Sequence, residues 1–289
     1  MRPVGLLAVL LACCHAGQHS FHVEHDGHRI QTKAKGGWQE CAVGRCQCVN
    51  ASRSLSQHQE DRYVATNFFC RECEVRRNYV EIGALDGLKY STTHLLEHEA
   101  HFGGLLIEGH PINARALQHN RGRSGNNVIA AAAVCAQTTG GTVQFIGPPN
   151  MGTAGVKSSM NAGYIKQWGA LGRWNGRNYT VPCKPIGAMI RNAGINAVHF
   201  FVLDVEGAEL MVLQTMDWSI PVLVWSIELD NTNREKDDAV RALLLSHGYM
   251  PFGRKNRKNI NQIFVRDPKL ARARISKCSE CARQCAQVK

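Results

Sequence analysis

Residues 78–97 have the sequence NYVEIGALDGLKYSTTHLLE, and this stretch decides the fold that the sequence predicts. An apolar run ends in a turn containing Gly83 and Gly87, and a Ser/Thr run then opens a second apolar segment. Glycine lets a strand turn sharply into a helix and lets a ligand approach the backbone closely. The stretch therefore predicts a strand, a ligand-binding turn and a helix.

From residue 78 onward, short apolar runs alternate with helix-like stretches. The first strands are YVEIGA, GGLLIEG and NNVIAAAAV, with STTHLLEHEAHF and PINARALQHN as the helices between them. The later strands are AVHFFVLDVEG, VLVWSIELD, YMPFG and NQIFVRD, and the later helices are CKPIGAMIRNAG, AELMVLQTM and REKDDAVRALLLSHG. This alternation predicts an α/β fold with a doubly wound, mostly parallel sheet and helices on both faces.

Three regions depart from this alternation. Residues 141–178 are rich in glycine and predict a long irregular insertion, a candidate lid. Residues 17–77 are polar and rich in His and Cys, which predicts a loop-rich segment stapled by disulfides. The tail after Pro268 is basic and contains three cysteines. The predicted organisation is a signal peptide (1–16), a Cys/His-rich segment (17–77), a catalytic-type domain (78–267) and a basic tail (268–289).

The chain begins with MRPVGLLAVLLACCHAG, an early Arg followed by an apolar run and small residues. This pattern predicts a secretory signal peptide cleaved near Ala16. The run is short for a membrane span, and retention as an uncleaved anchor is the alternative. We therefore expect the protein in the ER or Golgi lumen or outside the cell. Sequons at Asn50 and Asn178 agree with that route.

Ten cysteines remain after the signal peptide, an even number that predicts disulfides in an oxidising compartment. A bond between Cys135 and Cys183 would tie down both ends of the glycine-rich insertion. If all ten are paired, the five cysteines before residue 78 and the three in the tail are both odd in number. At least one disulfide must then join the N-terminal segment to the tail.

Two metal-binding alternatives are weaker. Cys70 and Cys73 could join Cys278 and Cys281 in a zinc site, but the two pairs lie much further apart than zinc motifs require. His19, His22, His25 and His28 recur every third residue, which fits either a metal clamp or a mobile polar tail.

The formal net charge of +11 at pH 7 is compatible with an acidic substrate, an anionic glycan or a membrane surface. The predicted signal peptide argues against a nucleic-acid partner. The densest basic run, GRKNRKN at residues 253–259, predicts a solvated loop, with an anion contact as the alternative.

Acidic residues follow the predicted strands. In a doubly wound sheet, ligands bind beyond the carboxyl ends of the strands, near the switch in strand order. An acid about 20 residues after the glycine turn is placed to accept hydrogen bonds from ribose hydroxyls. The acids are Glu81 and Asp86 after the first strand, Glu108 after the second, Asp204 and Glu206 after the fourth, and Glu228 and Asp230 after the fifth.

The glycine turn has the pattern E-x-G-x-x-D-G and lacks the three glycines that a dinucleotide pyrophosphate requires. Asp86 would repel a phosphate at this position. The expected ligand therefore has a ribose, no phosphate and a cationic group. S-adenosylmethionine meets this description, since it joins adenosine to a sulfonium and an amino-acid end.

At this point four stretches carry a family resemblance: residues 78–97, GGLLIEGHP, TVPCKPI and FFVLDVEGAELMVLQTMDW. Together they resemble the FkbM-type S-adenosylmethionine-dependent methyltransferases, whose typical substrates are hydroxyls of sugars and polyketides. The resemblance extends from about Asn78 to Asp267. It implies a class I methyltransferase (Rossmann-like) fold. It also implies site residues: Glu81, Gly83, Asp86 and Gly87 around the methionine moiety, Glu108 on the ribose, and Asp204 and Glu206 beside the reacting centre.

Each of these residues also has a structural explanation. The glycines fit simple turns, Glu108 fits a surface carboxylate, and Asp204 and Glu206 fit a helix N-cap and a first-turn acid. A hydroxyl acceptor needs a base or a metal because its pKa lies far above neutrality. Asp204, Glu206 and Glu228 are the candidates, either as a base or as holders of a divalent metal. His199 is a weaker candidate because it lies inside an apolar run.

Three functions remain open from the sequence. The first is an O-methyltransferase of the secretory pathway that acts on a hydroxyl of a glycan or small metabolite. The second is a non-catalytic binding or trafficking factor that retains the fold. The third is an extracellular metal-binding protein. The oligomeric state is not predicted.

Overall fold

The computed structural model describes residues 24–25, 28–29, 46–70, 76–136, 141–160, 162–170, 178–253 and 260–287. Residues 1–38 and 39–289 form two compact units. In the first unit, strands β1 (Glu24–His25) and β2 (His28–Arg29) form an antiparallel pair. The predicted signal peptide, His19, His22, Cys41, Cys73 and the basic run 254–259 lie outside the described residues.

The second unit is built from eleven strands and eight helices in its described part. The strands are β3 (Arg77–Ile82), β4 (Phe102–Ile107), β5 (Asn127–Ala130), β6 (Ala133–Val134), β7 (Gly141–Ile146), β8 (Gly155–Val156), β9 (Asn178–Lys184), β10 (Val198–Leu203), β11 (Val222–Glu228), β12 (Met250–Phe252) and β13 (Asn261–Val265). The helices are α1 (Glu60–Phe68), α2 (His94–Ala100), α3 (Pro111–Arg121), α4 (Ala162–Ala170), α5 (Ile186–Asn192), α6 (Glu209–Gln214), α7 (Arg234–Ser246) and α8 (Pro268–Gln287).

Seven strands form the central sheet, in the spatial order β12-β13-β11-β10-β3-β4-β5. The pairings of β10 with β3 and β11, and of β4 with β3 and β5, are parallel. Strand β13 alone runs antiparallel, inserted between β11 and β12. The predicted doubly wound, mostly parallel sheet is therefore confirmed. The strand order reverses between β3 and β10, so a ligand site is expected at the carboxyl ends of these two strands.

Two hydrophobic cores cover the two faces of this sheet. One packs α5, α6 and α7 against the sheet through residues such as Ile190, Leu213 and Leu244. The other packs α1, α2, α3 and α8 through residues such as Phe68, Leu95 and Ala271. The strands are buried on both sides, as expected for a parallel sheet between helical layers.

The prediction that residues 141–178 are irregular is wrong, because this segment contains strands and a helix. Strands β6, β9, β7 and β8 form a second, four-stranded sheet with its own small core. Strand β7 pairs antiparallel with β9, which lies some forty residues later in the chain. The alternation in TVQFI at 142–146 is a strand pattern whose partner cannot be identified locally. Helix α4 lies between β8 and β9.

The two appendages also contain helices. The segment predicted to be loop-rich includes α1, and the basic tail after residue 267 is the 20-residue helix α8. Side chains of α1 and α8 belong to the same core face of the sheet. Both helices therefore belong to the layer that covers the sheet.

Four disulfides join the described cysteines. Cys135 pairs with Cys183, as predicted, with Cα atoms 5.6 Å apart. The predicted link between the N-terminal segment and the tail is also confirmed, and it is threefold: Cys46–Cys281, Cys48–Cys285 and Cys70–Cys278. Because Cys70, Cys278 and Cys281 are all in disulfides, the alternative of a zinc site is wrong for these three cysteines. We call the three bonds between the N-terminal segment and the tail the terminal clamp.

No helix in the described part of the chain combines the length and the hydrophobicity needed to cross a bilayer.

Candidate active site

Two predicted site residues meet at the switch point of the sheet. Gly83 follows β3 and Asp204 follows β10, and the strands pair in register at Ile82 and Leu203. Gly83 has φ +83°, in the left-handed region that favours glycine, and its exposed backbone packs against the backbone of Asp204. The strand ends are therefore in direct contact at the point where a ligand is expected.

A cleft that is open to solvent lies at the carboxyl ends of β3 and β4. Gly83 and Glu108 border it, together with backbone and side chains of the second sheet and of the turn after β10. Much of its wall is apolar and includes Ile82, Ile107, Val134, Phe145, Val205 and Met211. A cleft with an apolar wall and one carboxylate suits a flat heterocycle joined to a sugar.

Glu108 is the carboxylate of this cleft and is almost fully buried. Its two oxygens accept hydrogen bonds from the backbone N–H groups of Leu85 at 2.8 Å and His110 at 2.7 Å. Burial raises the pKa of Glu108 to about 7, although these hydrogen bonds oppose the shift. The carboxyl is therefore held in a fixed position at the border of the cleft.

The other three predicted cofactor residues shape the loop that borders the cleft. Glu81 is buried and accepts hydrogen bonds from Thr92 N and the hydroxyls of Ser91 and Thr93, so that it fixes the entry to α2. Asp86 Oδ1 accepts hydrogen bonds from the backbone N–H groups of Leu88 and Lys89, and these bonds form a tight turn.

Gly87 is the third of these loop residues. A Cβ there would lie 2.5 Å from Cγ of Arg121, and the Gly87 carbonyl accepts a hydrogen bond from the same arginine. Arg121 in turn forms a buried ion pair with Glu97. The glycine therefore lets the loop pack onto a buried charged network.

The three predicted catalytic carboxylates lie together. Asp204, Glu206 and Glu228 each offer one oxygen, and these oxygens lie within 4.8 Å of one another. All three side chains are half-buried. Asp204 is not the N-cap of the following helix, because Ala208 occupies that position. The structural alternative for Asp204 is therefore wrong. We call these three residues the carboxylate cluster.

The surroundings of the carboxylate cluster raise the pKa values of its three carboxyl groups. Burial raises the pKa of Asp204 to about 6, while a hydrogen bond from Glu228 opposes the shift. Burial and the nearby charge of Asp204 raise the pKa values of Glu206 and Glu228 well above the usual range. Carboxylates this close cannot all ionise, so they share protons near neutral pH. Asp204 is the member that ionises most readily.

The turn that carries Asp204 and Glu206 is held in an uncommon backbone conformation. Glu206 has φ +56° and Gly207 has φ +104°. Glu209 is fully buried and accepts a hydrogen bond from Gly207 N at 3.1 Å, and Lys236 pairs with the same carboxylate. A non-glycine residue at positive φ is costly and persists only where its surroundings fix it.

A second, smaller pocket of about 280 Å³ opens beside the cluster. It is polar, and its lining residues are Ser159, Tyr164, Glu206, Gly207, Asp230, Thr232, Asn233 and Lys236. Tyr164, on helix α4, donates a hydrogen bond to Glu206. A Cβ at Gly155 would lie 3.3 Å from Cβ of Glu206, so the insertion packs directly onto the cluster.

Several residues of this site were not predicted from the sequence. Tyr164 and Ser159 lie in the insertion, and Glu209 and Lys236 lie on α6 and α7. Glu209 is the first residue of α6, where an acidic residue is common, so its position gives no signal of a functional role. His199 lies at the opposite end of β10 and accepts a hydrogen bond from Asn78 N at 3.1 Å. His199 therefore takes no part in the cluster.

Comparison with family models gives one domain match. The model described as the methyltransferase FkbM domain matches residues 81–251, more than half of the chain. A comparison with curated proteins gives no match.

Solved structures with a similar backbone include three methyltransferase-type or RNA-processing proteins. Methyltransferase FkbM from Methylobacillus flagellatus KT is 15% identical with a TM-score of 0.41, and the match covers 69% of this chain and 47% of that chain. This chain thus matches about half the length of that protein. The Methanococcus jannaschii fibrillarin pre-rRNA processing protein is 9% identical (TM-score 0.39; 83% of this chain, 90% of that chain). Precorrin-6y C5,15-methyltransferase from Geobacter metallireducens GS-15 is 12% identical (TM-score 0.33; 74% and 90%). At these identities and TM-scores, the three likenesses carry no further statement about this chain.

Proposed function

Because the chain belongs to the FkbM methyltransferase family, we propose that it is an S-adenosylmethionine-dependent O-methyltransferase of the secretory pathway. Its acceptor would be a hydroxyl of a glycan or of a small metabolite. The observation that carries this proposal is the position of the carboxylate cluster. Val205 lines the apolar cleft and its neighbour Glu206 lines the polar pocket, so the cluster lies where the two meet.

The cleft fits the cofactor by the chemistry of its lining. Glu108 offers lone pairs to ribose hydroxyls, and the apolar wall with Phe145 suits an adenine ring. Gly83 leaves room for a ligand to approach the backbone at the switch point. S-adenosylmethionine, when bound, supplies an electrophilic methyl group on a sulfonium. The protein then has to align the acceptor, remove its proton and exclude water.

Asp204 is the proposed general base. Its pKa, raised to about 6, lies close to neutral pH, where a base combines availability with proton affinity. Glu228, whose pKa is raised well above the usual range, keeps its proton and hydrogen-bonds to Asp204. Tyr164 holds Glu206 at the mouth of the polar pocket.

The same cluster also has the donor set of a divalent cation site. Three carboxylate oxygens within 4.8 Å suit a hard cation such as Mg²⁺ or Ca²⁺. Such a cation would be held by Asp204, Glu206 and Glu228 and would lower the pKa of the acceptor hydroxyl. Methyl transfer by EDTA-treated protein, measured with and without added Mg²⁺, distinguishes a mechanism that needs the cation from one in which Asp204 acts as the base alone.

The disulfides support the proposed location. All eight described cysteines are paired, and such bonds persist in oxidising compartments such as the ER lumen and the extracellular space. The predicted signal peptide points to the same route.

Calorimetry with S-adenosylhomocysteine tests the proposal. We expect specific binding to the wild type and about tenfold or weaker binding to Glu108→Gln. Transfer of a labelled methyl group from S-adenosylmethionine to a panel of methyl glycosides and polyols then tests the acceptor class. Absence of cofactor binding would favour the non-catalytic alternative. Binding without transfer to any member of the panel would contradict the hydroxyl acceptor.

A further inference from the structure

Helix α8 cannot rotate about its axis, because the terminal clamp fixes one of its faces. Cys278, Cys281 and Cys285 are spaced three and four residues apart, so they lie on one side of the helix. Cys278 and Cys281 are buried, and Ala271 on the same side packs into the core of the sheet. The opposite side of α8 is therefore presented permanently to solvent.

That opposite side carries a stripe of positive charge. Lys269, Arg272, Lys277 and Arg283 are all exposed. From Lys269 to Arg283 the stripe is about 21 Å long at 1.5 Å rise per residue. Helix α8 contains five Lys and Arg residues in all and one acidic residue, Glu280, which is exposed on the same side between Lys277 and Arg283. Asp267, just before the helix, uses its carboxylate to cap the N–H groups of Lys269 and Leu270.

The four basic side chains make no ion pair with other described residues. The acidic side chains of the site gather instead at the carboxyl ends of the strands, in the carboxylate cluster and beside it. Among the described residues, α8 thus concentrates positive charge on one surface, apart from the carboxylate cluster.

We propose that the exposed face of α8 is a docking surface for a linear sulfated polysaccharide. A rigid row of Lys and Arg matches a repeating row of sulfates, and the release of counterions drives such binding. Arginine, with its planar fork of donors, suits two-oxygen contacts with a sulfate as it does with a phosphate. The surface is separate from the carboxylate cluster, and docking requires no catalytic step.

An anionic membrane is a poorer partner for this face. A helix that lies in a membrane interface needs large apolar residues opposite its charged face. In α8 the corresponding side is occupied by the terminal clamp and the core. Leu270, 39% exposed, is the large apolar residue that α8 leaves on its surface.

Heparin is the probe that tests the proposal, with the full-length oxidised protein. The variant Lys269→Gln/Arg272→Gln/Lys277→Gln/Arg283→Gln removes the stripe and keeps good helix formers. A control variant, Arg115→Gln/Arg123→Gln/Lys157→Gln/Lys184→Gln, removes the same charge from four exposed sites elsewhere. Circular dichroism and non-reducing peptide mapping establish that both variants are folded and clamped.

We expect the stripe variant to bind heparin at least about tenfold more weakly at 0.15 M salt. The slope of log affinity against log salt should fall by about three to four, since each lost contact releases about one counterion fewer. The control variant should keep most of its affinity. Equal losses in the two variants would overturn the proposal, because binding would then follow net charge alone. Stripe-dependent binding to phosphatidylserine vesicles without binding to heparin would also overturn it.

Discussion

Gly83 and Asp204 are in backbone contact across the switch point of the sheet. A Cβ atom at residue 83 would lie 2.0 Å from the carbonyl oxygen of Asp204. The glycine of the cofactor turn therefore sets how closely the first strand end approaches the residue that we propose as the base. The backbone contact therefore fixes the distance between the glycine turn and Asp204.

The first prediction is that Gly83→Ala is severely destabilising. The added methyl meets a backbone carbonyl that cannot move alone, and the residue must also keep its positive φ. Gly125→Ala is the matched control, because Gly125 has φ +66° but no atom within 4 Å of its Cβ position. The control should cost only about 1 kcal/mol. Urea unfolding measures both, and similar losses would contradict the close contact between Gly83 and Asp204.

The second prediction separates two acidic residues of the cofactor region. Glu108→Gln should weaken S-adenosylhomocysteine binding by about tenfold or more, because Glu108 borders the cleft and an amide NH₂ group cannot accept the hydrogen bonds that a carboxylate oxygen accepts. Asp86→Ala should act on stability, by about 1 kcal/mol, through the loss of its turn. Calorimetry and thermal unfolding of both variants provide the test. A larger affinity loss in Asp86→Ala would place the ligand on the loop.

The third prediction concerns stability against pH. Glu108 has its folded pKa raised to about 7 by burial, above the ordinary glutamate value of 4.5. The folded state then binds the proton more tightly, so this stabilisation is present below pH 4.5 and is lost as pH rises to about 7. The shift amounts to roughly 3 kcal/mol at most. Urea unfolding from about pH 4.5 to about pH 8 should show a smaller decline for Glu108→Gln than for the wild type. Parallel curves would show that Glu108 titrates normally.

The fourth prediction concerns the proposed base. Asp204→Asn should lower methyl transfer by about 10²–10⁴-fold, the usual contribution of a general base. Its affinity for S-adenosylhomocysteine should change little, since Asp204 serves the acceptor. In the wild type the rate should rise with pH through about 6, as Asp204 loses its proton. The control is Asp238→Asn, an exposed acid on α7 that pairs with Arg241. Equal losses of turnover and cofactor affinity would assign Asp204 a structural role.

The fifth prediction compares two disulfides. Removing Cys135–Cys183 by paired Ser substitutions opens a loop of 48 residues, which the chain-entropy model values at about 4 kcal/mol. Removing Cys48–Cys285 should cost less, about 2–3 kcal/mol, because Cys46–Cys281 closes almost the same loop. Thermal unfolding under non-reducing conditions measures both. The reverse order would show that the clamp bonds are not redundant.

The sequence predicted the sheet because each strand carries its own signal. Strands β3, β4, β10 and β11 are apolar runs that end in acids, and parallel strands bring those ends to one edge. Asp204, Glu206 and Glu228 could therefore be grouped without coordinates. Their different acidities could not be predicted, since these depend on burial and on distances between side chains.

The parts that escaped prediction depend on distant partners. Strand β7 is stabilised by β9 and Tyr164 by Glu206, and neither pairing leaves a local pattern. Helix α8 did leave one, because Cys278, Cys281 and Cys285 have helical spacing and take the place of apolar residues. Parity of the cysteines predicted a link between the two appendages, but parity cannot give the number of bonds or their partners.

The terminal clamp also fixes the order of events during biosynthesis. Cys46, Cys48 and Cys70 are made early, and each waits for a partner that lies at least 208 residues later in the sequence. None of the three clamp bonds can form before the cysteines of α8 have been made. Any temporary bond that these thiols form in the meantime must be resolved by thiol–disulfide exchange. A chain truncated before residue 278 would retain the family domain yet keep three cysteines without their partners.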